Sequence, residues 1–256
     1  MTVSVVTVTY NAAATVEDAV RSVLGQECDF TLDYHIVDGG STDGTLDMLK
    51  QYEDRIAKIT SGPDQGLYDA MNRGVARAKG DIIGILNADD RYADHHVIAD
   101  VLEAFEDTGA DAIYADLDYV DEETASRVTR QWTSGEPGDF RKGWMPPHPT
   151  LFVKRELYEQ HGLFNLQLRS AADYELMLRF FHFRGATLAY LPRTTVKMRA
   201  GGQSNATIGN RIKANAEDAR AWRLNGASPP LLLRFVKPLR KLSQYTSATC
   251  QKSTVL

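Results

Sequence analysis

The sequence predicts an α/β fold in which helices flank a doubly wound, mostly parallel central sheet. Residues 82–86 form a short, continuously apolar run, which is typical of a strand buried on both faces of a parallel sheet. Strand-like and amphipathic helical segments also alternate over residues 1–115, as they do in chains of β-α-β units. With 256 residues, 43% of them hydrophobic, the chain can bury a large core.

Local patterns predict the elements in chain order. Val3–Tyr10 is rich in β-branched residues and is stopped by Asn11, which indicates a strand. The segment Thr15–Asp18 resembles a capping box, and apolar residues recur at helical spacing from there to Leu24. The remaining elements are predicted as a strand over 34–37, helices over 45–52 and 67–78, a strand over 82–86, a helix over 97–106 and a strand over 112–115.

Acidic residues follow several of these strands. Asp38, Asp89, Asp90 and Asp116 each come after one, so we expect them to converge on the carboxyl edge of the sheet, where open α/β sheets bind ligands. Adjacent carboxylates repel each other unless a cation or a proton intervenes, and a hard divalent ion shared with substrate phosphates removes that repulsion. Taken alone, the Asp89–Asp90 pair is more typical of a polar loop that caps the next helix than of a metal site.

Glycine-rich phosphate-binding loops are absent from the expected position. The turn after the first strand, residues 10–14, has no glycine, which excludes the dinucleotide-binding fingerprint there, and the chain has no P-loop pattern. A bound phosphate is therefore expected to be neutralised by a metal ion.

Five segments carry a resemblance to a known family. They are, in order, Val3–Asn11, Ile36–Thr45, Asp64–Gly74, Leu86–Asp90 and Ala171–Arg179. Together they resemble the inverting glycosyltransferases of family 2, which have the GT-A fold, and the match covers residues 1–205. The Gly-Leu-Tyr-Asp-Ala-Met-Asn form of the third segment is similar to transferases that build bacterial capsule, exopolysaccharide and glycolipid sugars.

The resemblance implies a nucleotide-sugar donor, linked to UDP, GDP or dTDP, bound by the half of the domain formed by residues 1–118. Asp38 would accept an N–H of the base, Asp64 would contact base or ribose, and Tyr10 would stack on the base. From the residues alone, Asp38 is also suited to capping the 39–45 turn, Tyr10 to simple packing, Asn72 to capping a loop and Arg199 to a surface loop. The implied donor-binding residues are Val8, Tyr10, Asp38, Asp64, Asn72, Asn87, Ala88 and Arg199.

The Asn87–Asp89 triplet stands at the family's Asp-x-Asp position, and the resemblance implies that Asp89 is the direct ligand of Mg²⁺ or Mn²⁺. Asn87 departs from the family pattern because it offers an amide oxygen without charge, so the metal site is expected to depend on the donor diphosphate. Asp90 would position Asp89 or cap the next helix. Asp116–Asp118 is a literal Asp-x-Asp without the family match, and we expect Asp116 to contact the donor sugar or the acceptor.

Inversion needs one general base near the acceptor hydroxyl, and the resemblance implies Asp173 for this role. Its predicted place at a helix N-terminus favours the ionised carboxylate, although an N-cap there has the same residue preference. Glu175 is a second candidate. Further contacts to the acceptor or the diphosphate are expected from His148, in a proline-rich loop, and from Trp132 and Trp144 in the long polar segment 121–147. Residues 119–210 are thus predicted to form the acceptor-binding half.

Basic residues gather at the C-terminus. The net charge is −5, yet residues 219–256 hold seven Lys or Arg and no acidic residue. Residues 211–256 are predicted as a helical basic tail, in which Leu231–Leu242 suits either an anionic membrane surface or packing on the body. No basic patch is interleaved with aromatics, so nucleic acid is not an expected partner. Without a secretory or membrane-spanning segment, and with Cys28 and Cys250 far apart, we expect a cytoplasmic protein, peripheral on the inner membrane.

The sequence therefore predicts a metal-dependent, inverting glycosyltransferase that moves a sugar to a hydroxyl of a glycan or a lipid-linked acceptor. One alternative is a sugar nucleotidyltransferase, which would need a basic, glycine-rich triphosphate loop after the first strand. The other is a non-catalytic nucleotide- or glycan-binding module, which would bind the donor without transferring the sugar.

Overall fold

A computed structural model describes residues 1–27, 30–200 and 208–230, with the backbone alone for 208–215. Both cysteines, residues 201–205 of the segment after Arg199, and the basic stretch 231–242 lie outside the described residues, and the expectations for them stay predictions. The strands are β1 Thr2–Thr9, β2 Thr31–Asp38, β3 Lys58–Ser61, β4 Ile82–Asn87, β5 Asp90–Tyr92, β6 Ala112–Val120, β7 Val128–Trp132, β8 Phe152–Lys154 and β9 Leu188–Arg199. The helices are α1 Val16–Leu24, α2 Thr45–Lys50, α3 Leu67–Val75, α4 Val97–Thr108, α5 Arg155–His161, α6 Ala172–Met177 and α7 Ile208–Leu224.

The described strands form one mixed sheet in the order β3-β2-β1-β4-β8-β6-β9-β5, with β7 paired to β6. The strands β3, β2, β1 and β4 are parallel, and β6 is parallel to β9. Because β8 is antiparallel to both β4 and β6, those two strands run in the same direction. Their carboxyl ends therefore point to the same side of the sheet. The predicted α/β class, with helices flanking a mostly parallel sheet, is confirmed.

Two hydrophobic cores lie on the two faces of the sheet. Along β1, Val3 and Val5 pack with α1, α2 and α4, whereas Val6 and Val8 pack with α3 and α6. This alternation is the period of two that a strand buried on both faces requires. The second core, with Val6 and Val8, also contains the side chains around Asp173.

Five of the described strands, β3, β5, β7, β8 and β9, were not predicted, and two of them show why. β3 has four residues and β5 has three, and neither has an apolar pattern of its own. β3 forms because it extends the parallel ladder beside β2, and β5 forms because it pairs with β9, a strand 100 residues further along the chain. Pairing partners, rather than local propensity, define both strands.

Three local predictions were wrong. The segment 121–147 is not a continuous loop, because its residues 128–132 form β7 on the edge of β6. Asp116 does not follow β6 but lies within it, since the pairing with β7 and β9 extends that strand to Val120. The capping box does not form, because the Thr15 side chain makes no cap hydrogen bond and Asp18 pairs with Arg199 instead.

Helix α7 crosses the predicted boundary between residues 210 and 211 and packs on the body. Trp222 is buried in the core, and its indole Nε1 donates to the Tyr174 hydroxyl at 3.0 Å. Asn225, just after the helix, donates to Glu175 at 2.9 Å. These contacts fix the end of α7 and Asn225 to the packed domain. Within the described residues, no helix is both long enough and apolar enough to cross a membrane.

Helix α3 packs closely on β1 at Gly74, where an added Cβ would lie 2.2 Å from Cγ1 of Val6. We expect Gly74→Ala to lower the free energy of unfolding by about 1–3 kcal/mol, because the helix must move away from the sheet. Val6→Ala in the same chain should relieve part of this loss, since the two side chains compete for one volume. Urea unfolding of the two single variants and the double variant measures the coupling. Strictly additive losses would contradict the close packing.

Candidate active site

The ends of β1 and β4 lie side by side at the carboxyl edge of the sheet. In the parallel register, Val8 pairs with Asn87 and Thr9 of β1 pairs with Asp38 of β2. The Ala88 amide continues the ladder by donating to the Val8 carbonyl at 3.1 Å. The structure thus brings together four predicted donor-binding residues, Val8, Asp38, Asn87 and Ala88, at the edge where open α/β sheets bind ligands.

Tyr10 and Asp64 flank Gly39 beside this edge. A Cβ on Gly39 would lie 2.7 Å from Oδ2 of Asp64 and 3.3 Å from Cδ2 of Tyr10, so any larger residue there would displace the Asp64 carboxylate. The Tyr10 side chain is 63% exposed, which is unusual for a large aromatic residue. An exposed ring next to a partly exposed carboxylate offers a stacking surface and a hydrogen-bond acceptor, the two features that bind a nucleobase.

Asp38 is buried and holds its own loop. Its Oδ2 accepts from the amides of Gly40 and Ser41 at 3.0 Å each and from Oγ of Ser61 at 2.6 Å, and its Oδ1 accepts from Oγ of Ser41. This is the turn-capping role that the sequence left open for Asp38. A direct contact between Asp38 and a base stays a prediction.

The loops after β1 and β2 are tied to each other at Asn11. Its backbone has φ 49°, a left-handed conformation that asparagine tolerates better than most residues. The side-chain Oδ1 of Asn11 accepts from the backbone N–H of Thr42 at 2.9 Å, and the backbone N–H of Asn11 donates to Ser41 Oγ at 2.8 Å. The loop that carries Tyr10 is therefore fixed before any ligand binds.

Asn87, Asp89 and Asp90 present oxygen atoms for a cation. Nδ2 of Asn87 donates to Oδ2 of Asp90 at 3.1 Å, whereas Oδ1 of Asn87 and Oδ1 of Asp90 are buried without a hydrogen-bond partner. Burial, and next the charge of Asp89, raises the pKa of Asp90 well above its ordinary value. Unpaired buried oxygens cost free energy, and Mg²⁺ and Mn²⁺ prefer oxygen ligands. The residues present therefore fit such an ion beside the partly exposed Asp89.

Protein groups alone would hold that ion with few charges. In the part of the chain that the structure describes, no three His, Cys, Asp or Glu side chains are grouped as metal ligands. Mg²⁺ is commonly held by one or two carboxylates together with substrate phosphates. This agrees with the expectation that Asn87 makes the site depend on the donor diphosphate.

The second Asp-x-Asp lies on β6 and is engaged by protein groups. Asp116 Oδ1 accepts from the Ser134 amide at 2.7 Å and from the Tyr190 hydroxyl at 2.8 Å. Asp118 is buried, and this burial raises the pKa of its carboxyl. A metal role at this pair is less suited to the geometry than one at Asp89, while a contact of Asp116 with donor sugar or acceptor stays a prediction.

The two tryptophans of the 121–147 segment are packed differently. Trp144 is buried, with its ring edge-on to Tyr114 at 5.6 Å between centroids, so the expectation that it stacks on a sugar was wrong. Trp132, at the end of β7, pairs in register with Leu117 and is partly buried against the core. An acceptor contact by Trp132 stays a prediction.

Asp173, the predicted base, lies in the first turn of α6, and two side chains hold its carboxylate. The Tyr68 hydroxyl donates to Oδ1 at 3.0 Å, and His148 Nδ1 lies 3.3 Å from Oδ2. Burial, and next the charge of Asp173, raises the pKa of Tyr68 far above its ordinary value, so its hydroxyl stays a donor. The Asp173 side chain keeps 14% of its exposure. The structure thus joins the predicted His148 to the predicted base.

A cavity beside Asp173 reaches β4 at Ile85, which lines it. Asn87 lies two residues further along β4, on the same face of the strand. The cavity at the predicted base and the predicted metal-site residue Asn87 are therefore on the same side of the sheet. The other lining side chains are Met71, His148, Leu151, Tyr158, Phe164, Leu176 and Met177.

Asn72 and Glu175 have structural contacts in place of the predicted ligand contacts. Asn72 accepts from the Phe164 amide at 2.8 Å and donates to the Phe164 carbonyl at 2.9 Å, so it caps a loop instead of facing a ribose. Glu175 is buried, forms an ion pair with Arg179 at 3.0 Å and accepts from Asn225 at 2.9 Å. Both Glu175 oxygens are engaged in the core, which corrects its prediction as the second candidate for the base and as a contact to the acceptor or the diphosphate.

Arg199 is also engaged within the protein. It is buried at the end of β9, where it forms an ion pair with Asp18 and donates to the Glu122 carbonyl at 2.9 Å. These contacts join β9 to α1 and to the β6–β7 connection. They correct the prediction that Arg199 holds the donor diphosphate, because the guanidinium is already paired.

The site residue that the sequence reasoning missed is Tyr68. It lies in the Asp64–Gly74 segment, one helical turn before Asn72, and this spacing places both residues on one face of α3. The spacing from Asn72, itself a predicted site residue, was the signal in the sequence that could have pointed to Tyr68. Its partner Asp173 is 105 residues away, and the sequence gives no indication of that pairing.

A sheet of this order, with acidic side chains at its carboxyl edge and helices on both faces, defines a glycosyltransferase of the GT-A type. The chain belongs to glycosyl transferase family 2, whose sequence profile matches residues 4–175. The resemblance seen in the sequence is therefore confirmed, and the chain is a glycosyltransferase.

Relatives and solved structures agree with this membership. The chain is 31% identical over 215 residues to the PGL/p-HBAD biosynthesis glycosyltransferase of Mycobacterium bovis strain BCG, covering 80% of each chain. A structure of S. aureus TarS in complex with UDP-GlcNAc superposes with a TM-score of 0.67 at 16% identity, over 97% of this chain and 79% of that one. The mannosyltransferase PcManGT of Pyrobaculum calidifontis, in complex with GDP-Man and Mn²⁺, superposes with a TM-score of 0.64 at 19% identity, over 99% and 76%. Both structures share the fold.

Proposed function

We propose that the chain is a metal-dependent, inverting glycosyltransferase that moves a sugar from a nucleotide-diphosphate sugar to the hydroxyl of a glycan or a lipid-linked acceptor. The observation that carries the proposal is the geometry along β4. Ile85 lines the cavity at the Asp173 carboxylate, and Asn87 begins the acidic turn at the carboxyl edge two residues later. With the base at this cavity and the diphosphate site at the end of the same strand, the acceptor oxygen would enter on one side of the sugar and the leaving group would depart on the other.

Asp173 would act as the general base. As the acceptor oxygen attacks the anomeric carbon, its proton passes to the Asp173 carboxylate, and a new C–O bond forms. The bond between the anomeric carbon and the phosphate oxygen breaks at the same time, and its electron pair leaves with the nucleoside diphosphate. Because one displacement occurs, the anomeric configuration inverts. Ionised Asp173 is regenerated when it releases the proton to water.

The sheet edge would bind and orient the donor. Tyr10 and Asp64 offer a stacking surface and an acceptor for the base, on loops that Asp38 and Asn11 fix in place. Asp89, with the oxygens of Asn87 and Asp90 nearby, would hold Mg²⁺ or Mn²⁺ together with the donor diphosphate. A bound ion of this kind supplies positive charge against the charge that develops on the leaving diphosphate.

The acceptor is proposed as a hydroxyl on a glycan or a lipid. One relative is named for PGL/p-HBAD biosynthesis, and the family resemblance extends to capsule, exopolysaccharide and glycolipid enzymes. The basic stretch 231–242 would keep the enzyme on the cytoplasmic face of the membrane if it binds anionic lipids.

Thermal unfolding with a panel of nucleotide sugars tests the donor and metal parts of this proposal. UDP-GlcNAc, UDP-Glc, GDP-Man and dTDP-Glc are each added with and without Mn²⁺, and Mn²⁺ alone serves as the control. At a ligand concentration of about 100 times Kd, binding adds about 2.7 kcal/mol to the free energy of unfolding. For a chain of this size we expect one nucleotide class to raise Tm by about 5–10 °C, in the presence of Mn²⁺ only.

Two results would contradict the proposal. If no nucleotide sugar raises Tm, the proposed donor site is wrong. If a nucleotide sugar raises Tm equally without Mn²⁺, the proposed metal dependence is wrong. A donor that binds but releases no nucleoside diphosphate, with water or with any glycan offered, would instead support a non-catalytic module.

A further inference from the structure

Most of the Asp64–Gly74 segment lies in helix α3, and one face of this helix contacts Asp173, the proposed base. Tyr68 and Asn72 are four residues apart on α3, and the side chain of each is hydrogen-bonded to a protein group outside that helix. The Tyr68 hydroxyl donates to Oδ1 of Asp173 at 3.0 Å. Asn72 binds both backbone groups of Phe164, at 2.8 Å and 2.9 Å.

Phe164 links these two contacts. Its ring stacks on the ring of Tyr68, with 5.6 Å between centroids and 22° between planes. Asn72, on the same helix as Tyr68, fixes the backbone of Phe164, and the Phe164 ring packs on the Tyr68 ring. The tyrosine ring is therefore held both by its own helix and by Phe164. The hydroxyl at its tip therefore reaches Asp173 from a rigid element, as the support of a catalytic group requires.

The two carboxylate oxygens of Asp173 have different surroundings. Oδ1 accepts the Tyr68 hydroxyl, whereas Oδ2 lies 3.3 Å from Nδ1 of His148, which is partly exposed. The longer contact at Oδ2 leaves that oxygen more available to a third group. The hydroxyl bond at Oδ1 thus sets the rotation of the carboxylate about its Cβ–Cγ bond.

We propose that Tyr68 is a positioning residue for the base: its hydroxyl holds Oδ1 of Asp173 so that Oδ2 receives the proton of the acceptor hydroxyl. Tyr68 keeps its own proton during transfer, and the acceptor proton moves to Oδ2 as the glycosidic bond forms. Asn72 and Phe164 hold Tyr68 in place. This inference rests on the proposed role of Asp173 as the base.

The test compares Tyr68→Phe, which removes the hydroxyl and keeps the ring, with Tyr52→Phe. Tyr52 makes the same kind of bond, from its hydroxyl to Oε1 of Glu17 at 2.8 Å, between the turn after α2 and helix α1, on the other face of the sheet. Activity is measured as the release of nucleoside diphosphate from UDP-GlcNAc and from GDP-Man with Mn²⁺, with water in place of the acceptor. Donor affinity and Tm are measured for each variant.

For Tyr68→Phe we expect kcat to fall about 10- to 100-fold, a part of the factor that a well-placed general base contributes. The donor KM and the Mn²⁺-dependent nucleotide affinity should stay within about twofold, because in the proposed site the Tyr68 hydroxyl contacts neither the donor nor the metal ion. Tyr52→Phe should keep the kcat and the nucleotide affinity of the unmodified enzyme.

A kcat within twofold for Tyr68→Phe, or a loss of kcat matched by an equal loss of nucleotide affinity, would overturn the inference. Asp173→Asn separates this failure from that of the proposed function. If Asp173→Asn stays active, the base assignment itself fails. If Asp173→Asn is inactive while Tyr68→Phe is unaffected, only the positioning role of Tyr68 fails.

Discussion

Replacement of Asp173 by Asn is expected to lower kcat by about 10²- to 10⁴-fold and to leave nucleotide binding unchanged. A general base contributes about this factor, and an amide cannot take the proton of the acceptor hydroxyl. The amide has nearly the shape of the carboxylate, and its oxygen can still accept the Tyr68 hydroxyl that now bonds Oδ1 at 3.0 Å. Fold and donor site should therefore survive. Release of nucleoside diphosphate measures kcat, and calorimetric titration measures the affinity.

Asp47→Asn is the matched control for this substitution. Asp47 is exposed on α2 and pairs only with Lys50 in the surface contact at 2.7 Å, so the same chemical change there should leave kcat unchanged. An Asp173→Asn enzyme with a kcat within tenfold of the unmodified enzyme would contradict the assignment of the base.

Replacement of Asp89 by Ala is expected to abolish transfer and to weaken Mn²⁺-dependent nucleotide binding at least about 100-fold. Loss of groups that only support a metal ligand commonly costs 10- to 100-fold in affinity, and Asp89 is proposed as the ligand itself. The remaining oxygens of Asn87 and Asp90 are a neutral amide and a buried carboxyl whose pKa is raised by burial, so neither replaces the lost charge. Nucleotide binding measured without metal should change little.

Asp116→Asn is the comparison that separates the two acidic motifs. Asp116 Oδ1 is already bonded to Ser134 and Tyr190, so we expect the Mn²⁺-dependent affinity to stay within about twofold in this variant. If Asp116→Asn loses the metal dependence and Asp89→Ala retains it, the metal site lies on β6 and the assignment to Asp89 is wrong.

The fold was predictable to the extent that local patterns carry it. β4 is almost continuously apolar, β1 is rich in β-branched residues, and the helices between the strands have clear apolar faces, so their order identified the parallel sheet. β5 and β7 were not predictable, because each forms only by pairing with a strand made elsewhere in the chain. The same is true of Asp116, which became part of β6 through that pairing.

The candidate site was predictable by residue type and less so by contact. Motif positions predict the roles of Asp89 and Asp173, and strand ends placed Val8, Asp38 and Asn87 correctly at one edge. Arg199 and Glu175 have the charges that a phosphate site and an acceptor site use. Inside the protein, however, Arg199 is paired with Asp18, and Glu175 is paired with Arg179. Charge in a motif-rich segment does not distinguish these two uses, because the partner lies far along the chain or across a helix turn.

One measurement tests the central claim, that metal-assisted donor binding and proton removal belong to two separate groups. The donor identified by the thermal panel is titrated calorimetrically, with Mn²⁺, into the unmodified enzyme, Asp173→Asn and Asp89→Ala. We predict that Asp173→Asn binds the donor with the affinity of the unmodified enzyme, whereas Asp89→Ala shows binding at least about 100-fold weaker. Equal affinity in all three proteins, or an equal loss in both variants, would contradict this division of roles.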